Sequence, residues 1–148
     1  MFRRIFLSVV VFVMLSSFVN APANALPRLS TVTNASYGDM EIMFAQEMIP
    51  HHQQAITMSN YALKNSRNAA VIGLAKKIIS AQKSEIVQLT SWITISGQPM
   101  TSGHSMGTAG MLNSAQLAQL KSLKAKAFDK AFLKAMVEHH AGALQMVS

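Results

Sequence analysis

Two segments of the chain, 88 residues apart, carry the same residues at the same spacing. The first runs Phe44, Met48, Ile49, His51, His52, Ala55, Ile56, Met58; the second runs Phe132, Met136, Val137, His139, His140, Ala143, Leu144, Met146. Four of the five histidines therefore occupy equivalent positions, and Glu41 and Asp129 each stand three residues before the phenylalanine. A repeat of this fidelity marks a repeated structural unit. An α-helix turns about 100° per residue, so the steps of four, three, four and three from Phe44 to Met58 stay on one stripe, with His52 beside it. The chain must fold as helices whose core-facing stripe is built partly from imidazole and thioether, with Ala55 and Ala143 leaving room beside the rings.

That donor set has a chemical meaning. Thioether sulfur with imidazole nitrogen suits copper, especially copper(I), better than magnesium, calcium or manganese, which prefer oxygen. A methionine at helical spacing is by itself an ordinary core filler. Two adjacent imidazoles buried twice over are costlier, because their nitrogens need partners. Met48, His51, His52, Met58, Met136, His139, His140 and Met146 are therefore candidate metal ligands. One helix cannot supply a whole site, since Met58 lies about 9 Å along the axis from His52 at 1.5 Å per residue. Sites must combine helices, or helix and loop, and several ions per chain fit the count of donors.

The first 25 residues read as a cleavable export signal: Arg3 and Arg4, an apolar run from Ile5 to Leu15, and Ala23-Asn24-Ala25 as a small-x-small cleavage site. Ala21-Pro22-Ala23 is a second candidate site, and the two arginines also resemble a twin-arginine signal. The apolar run is too short for a permanent membrane anchor. Cleavage after Ala25 leaves 123 residues, enough for one domain, and lowers the formal charge from +7 to +5. Lys121, Lys124, Lys126, Lys130 and Lys134 supply much of that charge and read as a solvated helix face. An exported chain with no aromatic-basic motif is not a nucleic-acid binder. Its lack of cysteine excludes disulfides, thiolate metal sites and C-x-x-C-H haem attachment.

Leu26 to Gly38 reads as a flexible N-terminal segment, with the domain proper over residues 39–148. Ser36 to Asp39 has a capping-box pattern, and a first helix is expected from Asp39 to Leu63. Pro50 inside it either bends the helix to aim His51 and His52 or is a tolerated kink. After a turn over residues 65–68, a second helix is expected from Ala69 to about Ile95. Its seam is Ala75, Ile78, Gln82, Glu85, Leu89 and Trp92. Gln82 and Glu85 are polar on an apolar stripe. They are placed to hydrogen-bond the imidazoles from behind, as partners of metal-binding histidines do, or to make a purely structural contact. Residues 96–112 form a Gly-rich loop in which Met100, His104, Met106 and Met111 are further candidate ligands, Met111 the weakest because it could pack at the start of the next helix. Asn113 to Gln116 is another capping box. The helix it starts either continues or restarts near Asp129 into the second repeat.

The paired Met-x-x-His-His blocks, the Gln82-x-x-Glu85-Ile86 helix ending at Trp92, the Met-rich loop and Phe128-Asp129 through Met146 together resemble the domain of unknown function 305 (DUF305) family. The resemblance spans about Glu41 to Met146. It implies a ferritin-like antiparallel helical bundle, copper binding in the periplasm through methionine and histidine linked to copper resistance, and no established catalytic reaction. Family members usually add a fourth helix resembling the second, and this chain lacks it. The resemblance thus leaves open a truncated product, three helices that suffice, or a second chain that supplies the missing wall.

The expectation is an all-α, non-enzymatic copper-binding protein that sequesters copper or hands it on. Copper ions, a second copy of the chain and a periplasmic copper-handling protein are the expected partners. A dinuclear carboxylate oxidoreductase would need Glu-x-x-His pairs, whereas Glu47 and His51 are four apart and Glu138 directly precedes His139. A b-type haem bundle with axial His and Met, or a metal-independent helical interaction module, are the competing readings.

Overall fold

A computed structural model describes residues 37–103 and 109–146. The fold is all-α: four helices, α1 (Asp39–Asn65), α2 (Ala69–Ser96), α3 (Ser114–Ser122) and α4 (Ala125–Gln145), with no strand among the described residues. The extents of α1 and α2 match the expected ones closely, and the caps of α2 and α3 are written in local chemistry. The Asn68 side chain accepts from the Ala70 amide at the start of α2, and Gly97 ends that helix in the left-handed region at φ 71. Asn113 and Gln116 form the reciprocal capping box expected for α3.

Two local expectations are corrected. Gly38, in extended conformation and without a side-chain cap bond, precedes α1 in place of the Ser36 to Asp39 box, and Ser36 lies outside the described residues. Asp39 and Glu41 in the first turn favour the positive end of the helix dipole instead. The second motif helix starts at Ala125, not near Asp129, after α3 has stopped at Ser122. Leu123 and Lys124 are extended and Ala125 has φ 50. The Lys124 ammonium donates to Asn65 Oδ1, while Asn65 Nδ2 donates to the Lys121 carbonyl at 2.9 Å. The C-terminal end of α1 thus fixes the break between α3 and α4.

The core shows how the helices run. One packed cluster joins Ala55, Met58 and Ala62 of α1 to Val71, Ala75 and Ile78 of α2, and to Phe128, Phe132 and Met136 of α4. The other joins Ile42, Phe44, Ala45 and Met48 of α1 to Leu89, Trp92 and Ile93 of α2, and to Ala143 and Met146. The late half of α1 therefore meets the early halves of α2 and α4, and the early half of α1 meets their late ends. Both neighbours run antiparallel to α1. Leu120 of α3 closes the first cluster, and Tyr37 stacks on Trp92 at 5.4 Å beside the second. α1 runs through Pro50 without interruption, although the proline lacks the amide that would bond the Gln46 carbonyl.

Candidate metal centre

Because α1 and α4 carry the same stripe and run antiparallel, an approximate two-fold axis relates them, and it passes through the histidines. His51 and His139, equivalent residues of the two repeats, lie with ring centroids 3.7 Å apart. His52 and His140 flank them at 6.5 and 5.9 Å from their own neighbours. On one side of this layer are Met58 and Met136 with Phe132 and Ala55; on the other are Met48 and Met146 with Phe44 and Ala143. Each methionine set pairs the first position of one repeat with the last position of the other, as the axis requires.

The layer is dry. His51 is 1% exposed, His139 is fully buried and His52 is 7% exposed. Burial lowers the His51 pKa to about 4, helped by the neighbouring His52 and His140 and opposed by the Ala109 carbonyl. Burial likewise lowers His139 to about 3, with His51, His140 and His52 pushing the same way and the His51 backbone opposing. A charged imidazole loses hydration here and gains like-charged neighbours, so both rings are neutral and keep a nitrogen lone pair.

Few of those nitrogens are used. His51 Nε2 donates to the Ala109 carbonyl at 3.3 Å, leaving Nδ1 buried without a partner. His140 Nδ1 donates to the Met136 carbonyl at 2.8 Å, leaving Nε2 in the same state. Neither ring nitrogen of His139 makes a hydrogen bond of good geometry, nor does His52 Nδ1. His52 Nε2 lies 2.8 Å from Glu85 Oε2, an ion-pair distance, but the carboxylate is out of line with the ring N–H and no directed hydrogen bond forms. Buried polar atoms without partners are uncommon and call for an explanation. The donor set, several imidazole lone pairs between two thioether layers, fits a soft metal ion. Among the described residues no three His, Asp or Glu side chains already converge on one point, so ligation requires the sulfur atoms, a turned ring, or both.

α2 places Gln82 and Glu85 on its buried seam as the spacing predicts. Glu85 reaches His52; Gln82 is 2% exposed and its Oε1 has no partner. The remaining candidates separate. Met100 is exposed at 48%, and Met111 lines a pocket between α3 and α4 of about 330 Å³ with Leu112, Leu120 and Ala135. His104 and Met106 lie outside the described residues.

Sequence reasoning missed the loop end that covers the layer. Gln54 donates Nε2–H to the Leu112 carbonyl at 2.8 Å and accepts the Leu112 amide at 2.7 Å. Gly142 holds the position equivalent to Gln54, and a Cβ there would lie 2.1 Å from the Ala109 oxygen. Gly110, at φ 74, presses on the α4 backbone, where a Cβ would meet the Glu138 oxygen at 2.4 Å. One repeat thus grips residues 109–112 with an amide and the other makes room for them with a glycine. The signal was present: Gln54 against Gly142 is the sharpest size difference inside the repeat.

Among the described residues no helix is long and apolar enough to cross a membrane. No curated protein matches the chain. The structure resembles that of a DUF305 protein of Streptomyces coelicolor described as a "putative secreted protein", with 30% identity and a TM-score of 0.70 over 72% of this chain and 68% of that one. It also resembles a DUF305 fragment from Deinococcus radiodurans, with 30% identity and a TM-score of 0.68 over 74% of each chain. The family model described as domain of unknown function (DUF305) matches residues 41–148. With that match over most of its length, and the repeat that runs through it folded around one axis, the chain belongs to the DUF305 family.

Proposed function

We propose that this protein binds copper ions in the periplasm, without catalysing a reaction, and serves to sequester them or pass them on. The observation that carries this reading is the layer of four imidazoles, three buried and His140 half-buried, between two methionine pairs, with five ring nitrogens lacking a well-formed hydrogen bond besides that of His52 toward Glu85. A purely structural core has no reason to bury such groups, since an unpartnered polar atom costs about 1–3 kcal/mol. Thioethers and neutral imidazoles together form the donor set that copper(I) prefers. Met48, Met58, Met136, Met146 and the four histidines would be the ligands. Met100, His104 and Met106 would be capture residues of the loop. Export through residues 1–25 is consistent with the description of the Streptomyces relative as secreted.

The test is copper stoichiometry and affinity under reducing and oxidising conditions, beside a variant with His51, His52, His139 and His140 changed to Ala. Tight binding by the parent that falls at least about a hundredfold in the variant supports the reading. A folded parent that takes up no copper overturns it, and a Soret band on haem addition would favour the haem alternative.

A further inference from the structure

The two halves of the histidine layer match in sequence but differ in charge. His52 has the Glu85 carboxylate at 2.8 Å, with that side chain only 12% exposed. His140, its counterpart, turns Nδ1 to its own helix at Met136, and no carboxylate among the described residues stands against it. Gln82, one turn before Glu85 on the same buried face, adds an unpartnered amide oxygen on the α2 side. Hard oxygen donors therefore border one edge of the layer, and thioethers lie above and below it.

We infer that Glu85 is the residue that lets this site hold copper(II): the divalent ion is taken on the His52 edge with the charge of Glu85, whereas copper(I) is held by imidazole and thioether. The inference rests on the copper-binding reading above. Its physical basis is the cost of burying charge, which grows as the square of the charge and is about four times larger for a divalent than for a univalent ion. A single carboxylate beside the ion offsets that cost most where it is greatest. Ligand preference acts in the same direction, because copper(II) favours nitrogen and oxygen and copper(I) tolerates sulfur.

Glu85→Gln removes the charge while keeping the size of the side chain. The full chain and this variant are titrated with copper(II) and, separately, with silver(I) as a redox-inert substitute for copper(I), each against a competing chelator. Copper(II) affinity is expected to fall at least about tenfold more than silver(I) affinity. The electron paramagnetic resonance spectrum of the residual copper(II) should change its hyperfine splitting, which a merely structural role of Glu85 would not cause. Adding Gln82→Glu to Glu85→Gln returns a carboxylate to the same face and should recover part of the copper(II) affinity. Should the amide variant fail to fold by circular dichroism, Glu85→Leu, which suits an apolar seam and adds no donor atom, makes the same comparison. Equal losses for both ions, or no loss, overturn the inference. A parent chain that binds silver(I) but not copper(II) also overturns it while leaving the copper reading intact; one that binds neither ion overturns both.

Discussion

His51 and His139 sit at the centre of the molecule and carry its clearest pH signature. Their folded-state pKa values, about 4 and about 3, lie below the ordinary 6.5 because burial strips the imidazolium of water among three other imidazoles. Above pH 6.5 both rings are neutral whether the chain is folded or not, and they impose no pH dependence. Below it the unfolded chain takes up protons that the folded chain refuses, so the metal-free protein loses stability as pH falls from about 6.5 towards 4 and 3. The slope is at most about 1.4 kcal/mol per pH unit for each ring. Urea midpoints of the metal-free chain at pH 7.5, 6 and 5 should be highest at 7.5 and fall at each step; a midpoint that rises on acidification would mean that the rings are solvated. The burial of His51 and His139 was legible in the stripe of the repeat. Their close approach to each other was not, because nothing in either segment states that the two copies meet.

At the scale of elements, α1 and α4 are the same helix in different surroundings. Ala45, Ile49, His52 and Ile56 form one stripe of α1, and their equivalents on α4 are Leu133, Val137, His140 and Leu144. α2 lies against the first stripe, and Ile49 packs on the core cluster around Met48. On α4, Leu133, Val137 and Leu144 are 41, 70 and 51% exposed. Equivalent substitutions should therefore have unequal effects. Ile49→Lys is expected to cost about 2–3 kcal/mol through lost burial, and Val137→Lys less than about 0.5 kcal/mol, as for an ordinary surface site. Chemical denaturation of both variants measures this directly, and comparable losses would show that the α4 stripe is covered in solution. The extents of α2 and α3 were readable because Asn68, Gly97, Asn113 and Gln116 are local signals acting within a turn of the chain. The start of α4 was misjudged because its determinant is Asn65, about sixty residues away in sequence, holding Lys121 and Lys124.

For the whole molecule, the antiparallel pairing decides which methionines can act together. Met48 shares a cluster with Met146, and Met136 with Met58. Methionine-to-leucine changes nearly conserve volume, so each should cost less than about 1.5 kcal/mol in stability and read mainly on metal affinity. Met48→Leu and Met146→Leu should combine non-additively on silver(I) affinity, with a coupling of about 0.5 kcal/mol or more, whereas Met48→Leu and Met136→Leu should add. A double-mutant cycle by isothermal titration separates the two cases, and coupling between Met48 and Met136 instead would contradict the two-fold arrangement. By itself the sequence determined the all-α class, the helical stripe, the caps of α2 and α3, and the residue types that compose the layer, since all of these follow from spacing and from contacts within a few residues. Only the tertiary structure decided that the two stripes face each other, that the methionines pair across repeats, that Glu85 serves His52 and not His140, and that residues 109–112 rest on Gln54 and Gly142. Those facts depend on which segments meet in space, and a periodic pattern specifies the face a helix buries without specifying what it is buried against.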